Sequence, residues 1–195
     1  MLDEPLFVSA QDAVKFAVTF NHGIVPRSSM LQIADPSTGH GRGLSGLDGA
    51  GQAGMILSEV SLLPTLLQQT APLARLMPHY TECNCGAACC SKKRVHWTWM
   101  ELITQAVTEL DRIQEENRTP GVRGQELQPR LRIALVCRFF GEPSTLEDIA
   151  RACEVSTQMV TAHRKFVNSH LKREEHRAWE ALDNRLRDLG VVGSL

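Results

Sequence analysis

The amino-acid sequence predicts an all-α protein, a helical bundle with a C-terminal helix-turn-helix and a small cysteine-rich loop. Of its 195 residues, 43% are apolar and only 5% are aromatic, which favours packed helices over sheets rich in aromatic and β-branched residues. Apolar residues recur with a helical period in several segments. Four of the six cysteines lie together in residues 83–90, which indicates a cysteine-rich loop between the helices.

The first half of the chain predicts three helices and one extended arm. Residues 10–20 carry apolar side chains at roughly helical spacing, and residues 47–77 indicate two helices with breaks at Pro64 and Pro72. Residues 26–46 are rich in Pro, Ser, Thr and Gly, and they indicate an arm or loop that leads into the first of these two helices. We expect small residues in that helix to let another backbone approach closely; they are Gly49, Ala50, Gly51, Ala53 and Gly54.

Glycines in this region twice match the dinucleotide-binding pattern G-x-G-x-x-G, at residues 41–46 and 49–54. That pattern binds a pyrophosphate only when a buried strand leads into the glycines and a helix follows them. Residues 35–38 are Asp-Pro-Ser-Thr, which is not an apolar strand, and no βαβ alternation follows. The pattern therefore does not predict a nucleotide site.

The second half of the chain predicts a series of helices. Residues 97–117 place their apolar side chains on one stripe, and another helix covers about residues 127–140. Gly141-Glu142-Pro143 ends that helix, and Ser144-Thr145 opens the next one. Near the C-terminus, residues 177–189 form a further apolar stripe that serves either as a dimer seam or as a surface packed on the core. Its members are Trp179, Leu182, Leu186 and Leu189.

Residues 145–171 match the template of a helix-turn-helix. Two helices cross at a steep angle only where a small residue separates them, and Ala150 occupies that position. Ser144 and Ser156 stand where N-caps belong. Glu154 occupies the turn position usually given to glycine, where the backbone is often left-handed. The residues expected to fill the wedge between the helices are Ile149, Cys153, Val155 and Val160.

The second helix of such a motif enters the major groove of double-stranded DNA with its N-terminal residues facing the bases. Gln158 has the amide that pairs bidentately with adenine, and Ala162 or a threonine methyl group can contact thymine. Ser156 and Arg164 are placed to reach phosphates. An accidental match of an apolar helical hairpin to the template is the alternative. The residues expected to face the DNA are Thr157, Gln158, Thr161, Ala162 and Lys165.

The charge distribution predicts a local DNA-binding surface rather than a wholly basic protein. The net charge is −1 and the isoelectric point is near 6.7. No acidic residue occurs from Val155 to Arg173, so this window forms a positive stripe suited to phosphates. Its basic residues are His163, Arg164, Lys165, His170, Lys172 and Arg173. We expect His163, at a position that is apolar in the template, to be packed rather than catalytic.

The cysteine segment predicts a structural zinc site with Cys83, Cys85, Cys89 and Cys90 as ligands. Zinc requires four soft ligands at tetrahedral corners, and a glycine-bearing loop can fold its sulfurs around one ion. The spacing C-x-C-x3-C-C departs from the usual pairs of C-x2-C. Two alternatives stay open: His79 or His96 replaces one cysteine, or the thiols are partly buried and partly incidental. Cys137 and Cys153 are expected to be core cysteines.

Several classes of protein are excluded at this stage. The first residues carry acid and proline rather than a secretory signal, and no apolar run approaches the roughly 18 residues of a membrane span. We therefore expect a cytoplasmic protein with reduced thiols and no membrane partner. The sequence lacks a Walker lysine, a G-x-S-x-G elbow and an H-E-x-x-H helix, so we expect no enzyme.

These elements predict three regions. They are an N-terminal arm with helices over residues 1–80, a cysteine-rich loop over 81–96, and a helical DNA-binding domain over 97–195. The oligomeric state is left open by the sequence.

Three groups of residues carry a resemblance to known families. Residues 130–141 with the helix-turn-helix resemble region 4 of bacterial sigma factors, and residues 160–164 look like the recognition helix of LuxR-type regulators. The stretch from Gly46 to Met55, the C-x-C-x3-C-C cluster and the ending Leu189-Gly190-Val191-Val192-Gly193 are similar to small phage- and prophage-encoded DNA-binding proteins. Those proteins resemble in turn the Q-type late-gene antitermination proteins of bacteriophages.

The Q-type resemblance implies a DNA-binding transcription regulator that acts on host RNA polymerase. Such a protein binds DNA beside the late promoter, contacts a paused polymerase that carries a sigma factor, and travels with it through terminators. The sequence also leaves two alternatives. One is a conventional phage repressor or activator, normally a symmetric dimer. The other is the DNA-recognition small subunit of a packaging terminase, which assembles into rings.

Overall fold

A computed structural model of the protein describes residues 6–21, 46–82, 93–117 and 128–193. Of these residues 76% are helical, which confirms the expectation of a mostly helical protein. None of the helices within these ranges combines the length and the apolarity needed to cross a membrane. The helices are α1 (Ala10–Asn21), α2 (Gly46–Ser61), α3 (Leu66–Leu76), α4 (Trp97–Glu116), α5 (Pro129–Phe139), α6 (Leu146–Cys153) and α7 (Thr157–Asp188); two strands, β1 (Tyr80–Glu82) and β2 (Lys93–Val95), lie between α3 and α4.

Contacts divide the chain after Met77 and again after Glu175. Residues 1–77 and 176–195 form a terminal unit, and residues 78–175 form a central unit. Helix α7 is shared, because its first part belongs to the central unit and its last part to the terminal unit. The three regions predicted from the sequence, 1–80, 81–96 and 97–195, follow the order of segments along the chain and stay a prediction.

In the terminal unit α1 packs on both α2 and α3. Ser9 begins α1, because its hydroxyl accepts the Asp12 N–H at 3.2 Å and donates to the Asp12 carboxylate at 2.9 Å. At the other end of the chain Arg185 forms an ion pair with Glu59 of α2 at 3.3 Å. The buried apolar core of the unit includes Val14, Ala17, Ile56, Leu67, Ala71, Leu182 and Leu186.

One expectation about this unit was wrong, and another does not hold for two of its five residues. Pro72 does not break a helix but lies inside α3, where the complete burial of Ala71 and Ala74 compensates the hydrogen bond that proline removes. Gly51 and Gly54 do not mediate a close approach, because a β-carbon at either position would have no atom within 4 Å. Both glycines are exposed, whereas Gly49 and Ala53 of the same helix are buried.

The C-terminal apolar stripe packs inside the chain. Leu182 and Leu186 are completely buried, whereas Leu189 is exposed. Gly190, with φ 71°, lies just after the end of α7 at Asp188. Phe7 pairs with Val192 beyond it, through hydrogen bonds to Val191 and Gly193. Of the two roles left open for this stripe, the structure favours packing on the core.

The central unit contains α4, α5, α6, the first part of α7 and a short antiparallel ribbon of β1 and β2. The ribbon pairs Tyr80 with Val95 and Glu82 with Lys93. It was not predicted, because two strands of three residues do not produce a period-2 pattern long enough to read. At its base the His79 ring stacks on Trp99 at 4.4 Å between centroids, and Gly141 at φ 111° approaches that histidine too closely for a β-carbon to fit without a shift.

Candidate nucleic-acid interface

The predicted DNA-contacting residues lie on α7 and at its N-cap, and the preceding helix, α6, begins with a capping box. The Thr145 hydroxyl accepts the Asp148 N–H at 3.1 Å, and the Asp148 carboxylate accepts the Thr145 N–H at 3.4 Å. Hydrogen bonds from Thr145 lower the pKa of Asp148. The N-cap is therefore Thr145, whereas the sequence had predicted Ser144. Both residues are suitable N-caps, and only the backbone geometry selects one.

Three of the residues that the helix-turn-helix template places between its helices are buried. They are Ile149, Ala150 and Val160. Cys153 and Val155 are only half-buried. Of the four residues expected to fill the wedge, Ile149 and Val160 are thus the buried ones.

The turn between the helices requires a left-handed residue, and that residue is Glu154 with φ 57° and ψ 39°. The Val155 N–H donates to Ala150 O at 3.0 Å, and the Glu154 N–H donates to Arg151 O at 3.3 Å. These two bonds form a Schellman motif. Within the described residues Glu154 is the only non-glycine residue with positive φ. The expectation of a left-handed backbone at this turn position is therefore confirmed.

Ser156 begins α7. Its hydroxyl oxygen accepts the Met159 N–H at 3.2 Å, and its carbonyl oxygen accepts the Val160 N–H at 3.1 Å. Ser156 therefore acts as the N-cap that the sequence predicted. Because the hydroxyl uses a lone pair in this cap, its proton stays available for an acceptor such as a phosphate oxygen.

The five residues expected to face DNA lie on one side of α7. Together they line an open depression of about 480 Å³, and they are Thr157, Gln158, Thr161, Ala162 and Lys165. All are exposed except Thr161, which is half-buried. The Thr161 hydroxyl donates to Thr157 O at 2.9 Å. Since that hydroxyl is used within the helix, Thr161 offers mainly its methyl group to a ligand.

Cations border this depression. Arg164 and Lys165 form no ion pair with any residue that the structure describes. Arg173 is different, because its Nε lies 2.9 Å from the Glu174 carboxylate. His163 is buried, and burial together with the charge of Arg132 lowers its pKa. Of the lysines and arginines in the predicted positive stripe, Arg164, Lys165 and Lys172 therefore form no ion pair with a described residue.

Behind α7 lies a buried cation that the sequence analysis missed. The Arg132 side chain of α5 has no exposed surface; its Nη1 lies 3.6 Å from the Asp111 carboxylate, and its Nη2 donates to Gln114. Its guanidinium carbon lies 4.8 Å from the centre of the Phe166 ring in α7. A helical signal for its burial does exist, because Arg132 shares one face of α5 with the buried residues Leu131, Leu135 and Val136.

The predicted zinc ligands Cys83, Cys85, Cys89 and Cys90 lie outside the described residues. The structure does describe both ends of that segment, because Glu82 and Lys93 are paired in the ribbon. Among the residues that are described, no group of three or more His, Cys, Asp or Glu side chains is arranged to hold a metal. Cys137 is buried, as expected, and burial raises the pKa of its thiol to about 12; Cys153 is only half-buried.

Comparisons of the chain with models of protein families, with curated proteins and with solved structures find no significant match.

Proposed function

We propose that this protein binds double-stranded DNA sequence-specifically through a helix-turn-helix formed by α6 and α7, and that it is a phage-encoded regulator of transcription. The observation that carries the proposal is the open depression on α7. The five residues selected from the sequence as DNA-facing line it together, and Arg164 lies on the same helix without a described ion-pair partner.

Base reading is assigned to the middle of this surface. The Gln158 amide provides a donor and an acceptor, the pair of groups that adenine presents in the major groove. Ala162 and the Thr161 methyl group offer an apolar contact for the methyl group of thymine. This combination favours A·T pairs over G·C pairs at the positions that these side chains contact.

Phosphate binding is assigned to the edges of the surface. The Ser156 hydroxyl keeps a free proton in its capping role, and Arg164 and Lys165 supply charge. Phosphate contacts of this kind position a protein on the duplex and make its affinity depend on salt. Base contacts and phosphate contacts can therefore be separated by experiment.

The test is the binding of labelled duplexes, first selected from a random pool, measured by fluorescence anisotropy at several salt concentrations. Gln158→Ala should reduce the preference for the selected site, with a loss of about 1–3 kcal/mol on that site alone. Lys165→Ala should weaken binding to all duplexes and reduce the salt slope by about one. Lys15→Ala, which removes an exposed cation from α1, is the matched control. Equal binding by all four proteins would refute the site.

The resemblance to Q-type proteins supports a more specific role, late-gene antitermination with host RNA polymerase and its sigma factor as partners. The assay is transcription by purified polymerase on a late-promoter template that carries a terminator. Increased readthrough with unchanged initiation is the expected result. Altered initiation would identify a repressor or activator, and a stable ring in solution would identify a terminase subunit.

We also propose a structural zinc ion held by Cys83, Cys85, Cys89 and Cys90. The pairing of Glu82 with Lys93 supports it, because it brings the two ends of the cysteine segment together. His79 and His96 pair at the opposite end of the ribbon, three residues or about 10 Å away. This placement favours the four cysteines over a histidine ligand. Metal analysis should find one zinc per chain that is lost in a Cys83→Ser, Cys85→Ser double variant and retained in His79→Ala; a folded protein without metal would refute it.

A further inference from the structure

The buried side chain of Arg132 connects three helices of the central unit. Arg132 belongs to α5, its Nη1 lies 3.6 Å from the Asp111 carboxylate of α4, and its Nη2 donates to Gln114 of the same helix. Its guanidinium carbon lies 4.8 Å from the centre of the Phe166 ring in α7. A single planar group therefore joins α4 to the helix that carries the proposed DNA-facing residues.

The burial of this cation is energetically costly. Neither Nε nor Nη1 of Arg132 donates a hydrogen bond to a residue that the structure describes. Burial lowers the pKa of Arg132 and raises that of Asp111, and in both groups it outweighs the attraction between the two charges. Buried ion pairs of this kind are often replaced by apolar side chains without a loss of stability. Stability therefore does not explain why this position holds an arginine.

The partner of this cation in α7, Phe166, is close in sequence to the depression. Phe166 is half-buried, follows Lys165 directly and comes one helical turn after Ala162. One turn before Phe166 lies the buried His163, whose pKa is lowered by burial and by the charge of Arg132. Arg132 therefore acts on two inward-facing positions of the segment whose other residues line the depression.

Base reading depends on the orientation of α7 more strongly than phosphate binding does. A side chain that reads a base must be held within about 0.5 Å of its productive position by neighbours that are themselves fixed. Gln158 needs this precision, because its amide must meet a donor and an acceptor of adenine at once. Lys165 is a flexible point charge, and it reaches a phosphate from many positions. A less well-fixed α7 would therefore lose sequence preference and keep its general affinity for DNA.

We propose that Arg132 is a positioning residue that links Phe166 to α4 and thereby holds α7 in the orientation that base reading by Gln158 requires. This inference rests on the proposed function of α7 in DNA binding. It assigns the buried cation a role in sequence preference rather than in stability.

The test compares the affinities of the full-length protein for the selected duplex and for an unrelated duplex of equal length. Arg132→Met should reduce the ratio of these affinities by at least about 5-fold, the lower limit for one lost base contact, and leave the affinity for the unrelated duplex unchanged. Phe166→Leu should have a similar effect, and the double variant should show no further reduction, because both changes break the same link. Ile56→Val, which trims a buried side chain of the terminal unit, is the control for lost stability and should keep the ratio.

Amide hydrogen exchange of the free protein tests the same link without DNA. Arg132→Met should accelerate exchange in residues 160–166 and leave α1 and α2 of the terminal unit unchanged, because a repacked interior loses rigidity before it loses stability. An unchanged affinity ratio in Arg132→Met, additive effects of the two substitutions, or unchanged exchange in residues 160–166 would overturn the proposal. A wild-type protein that binds no duplex would refute the proposed function instead, and the exchange measurement would then decide by itself whether Arg132 holds α7.

Discussion

Replacing Glu154 by glycine should stabilise the protein, although it removes a side chain. Three helices of the described chain end with the same pair of Schellman hydrogen bonds, α5 at Gly141, α6 at Glu154 and α7 at Gly190. All three residues have positive φ, at 111°, 57° and 71°. Only Glu154 carries a β-carbon there. It keeps the left-handed conformation because the two Schellman hydrogen bonds at the end of α6 require it.

The magnitude follows from two opposing effects. A left-handed conformation costs an L-residue about 1–2 kcal/mol, and Glu154→Gly removes that cost. Glycine is also freer in the unfolded chain, which offsets about 0.5–1 kcal/mol. We expect a net gain of about 0.5–1 kcal/mol in the free energy of unfolding. Gly190→Ala, where a β-carbon meets no atom within 4 Å, should lose a similar amount.

The assay is equilibrium urea unfolding with an unchanged m-value. Glu154→Ala is the essential control, because it removes the carboxylate and keeps the β-carbon. If Glu154→Ala stabilises as much as Glu154→Gly, the effect comes from the charge near the end of α6 and the argument from backbone strain is wrong. A neutral or destabilising Glu154→Gly would refute it as well.

Three further predictions concern the interior and the helices. Gly54→Ala should raise the free energy of unfolding by about 0.5–1 kcal/mol, because the exposed helical position has room for a methyl group; a loss would mean that something packs on this face. Asp111→Ala should lower the free energy of unfolding by about 2–3 kcal/mol in urea, because it leaves the buried Arg132 cation without its carboxylate. Arg132→Met should lower it by less than about 1 kcal/mol, because it removes the buried charge itself. A larger loss in Arg132→Met than in Asp111→Ala would contradict this account. The pKa of His163 lies below its ordinary 6.5, so the unfolded state takes up the proton first. Its stabilisation is present above about pH 6.5 and decreases as the pH falls, and His163→Leu should flatten that decrease, measured as urea midpoints from pH 7 to 5.

The apolar periods of the sequence located the helices well, with α1 and α4 ending within one residue of their predicted limits. The burial of Ala150, Ile149 and Val160 was also predictable, because these residues occupy fixed positions in a local pattern. The cap at Thr145 was not, since two adjacent residues had the same capping chemistry. Pro72 was wrongly predicted to end a helix, because the free energy gained by burying its neighbours outweighs the low helix propensity of proline.

The features around the candidate site also differ in whether the sequence could predict them. The five residues that line the depression lie within nine positions of one helix, so helical geometry alone brings them together. The ribbon pairs Tyr80 with Val95 across 15 positions of sequence, and no local pattern predicts that pairing. Arg132 reaches Phe166 from another helix for the same reason.

By itself the sequence therefore determined the helical class, the position of the α6–α7 pair and the residues on its outer face, because these depend on contacts within a few residues. Only the tertiary structure decided that the stripe around Leu182 packs inside the chain, that Arg132 is buried behind α7 and that Trp97 stays exposed. Those outcomes depend on which distant surfaces meet, and the free energy of burying a side chain belongs to both partners of a contact rather than to either segment alone.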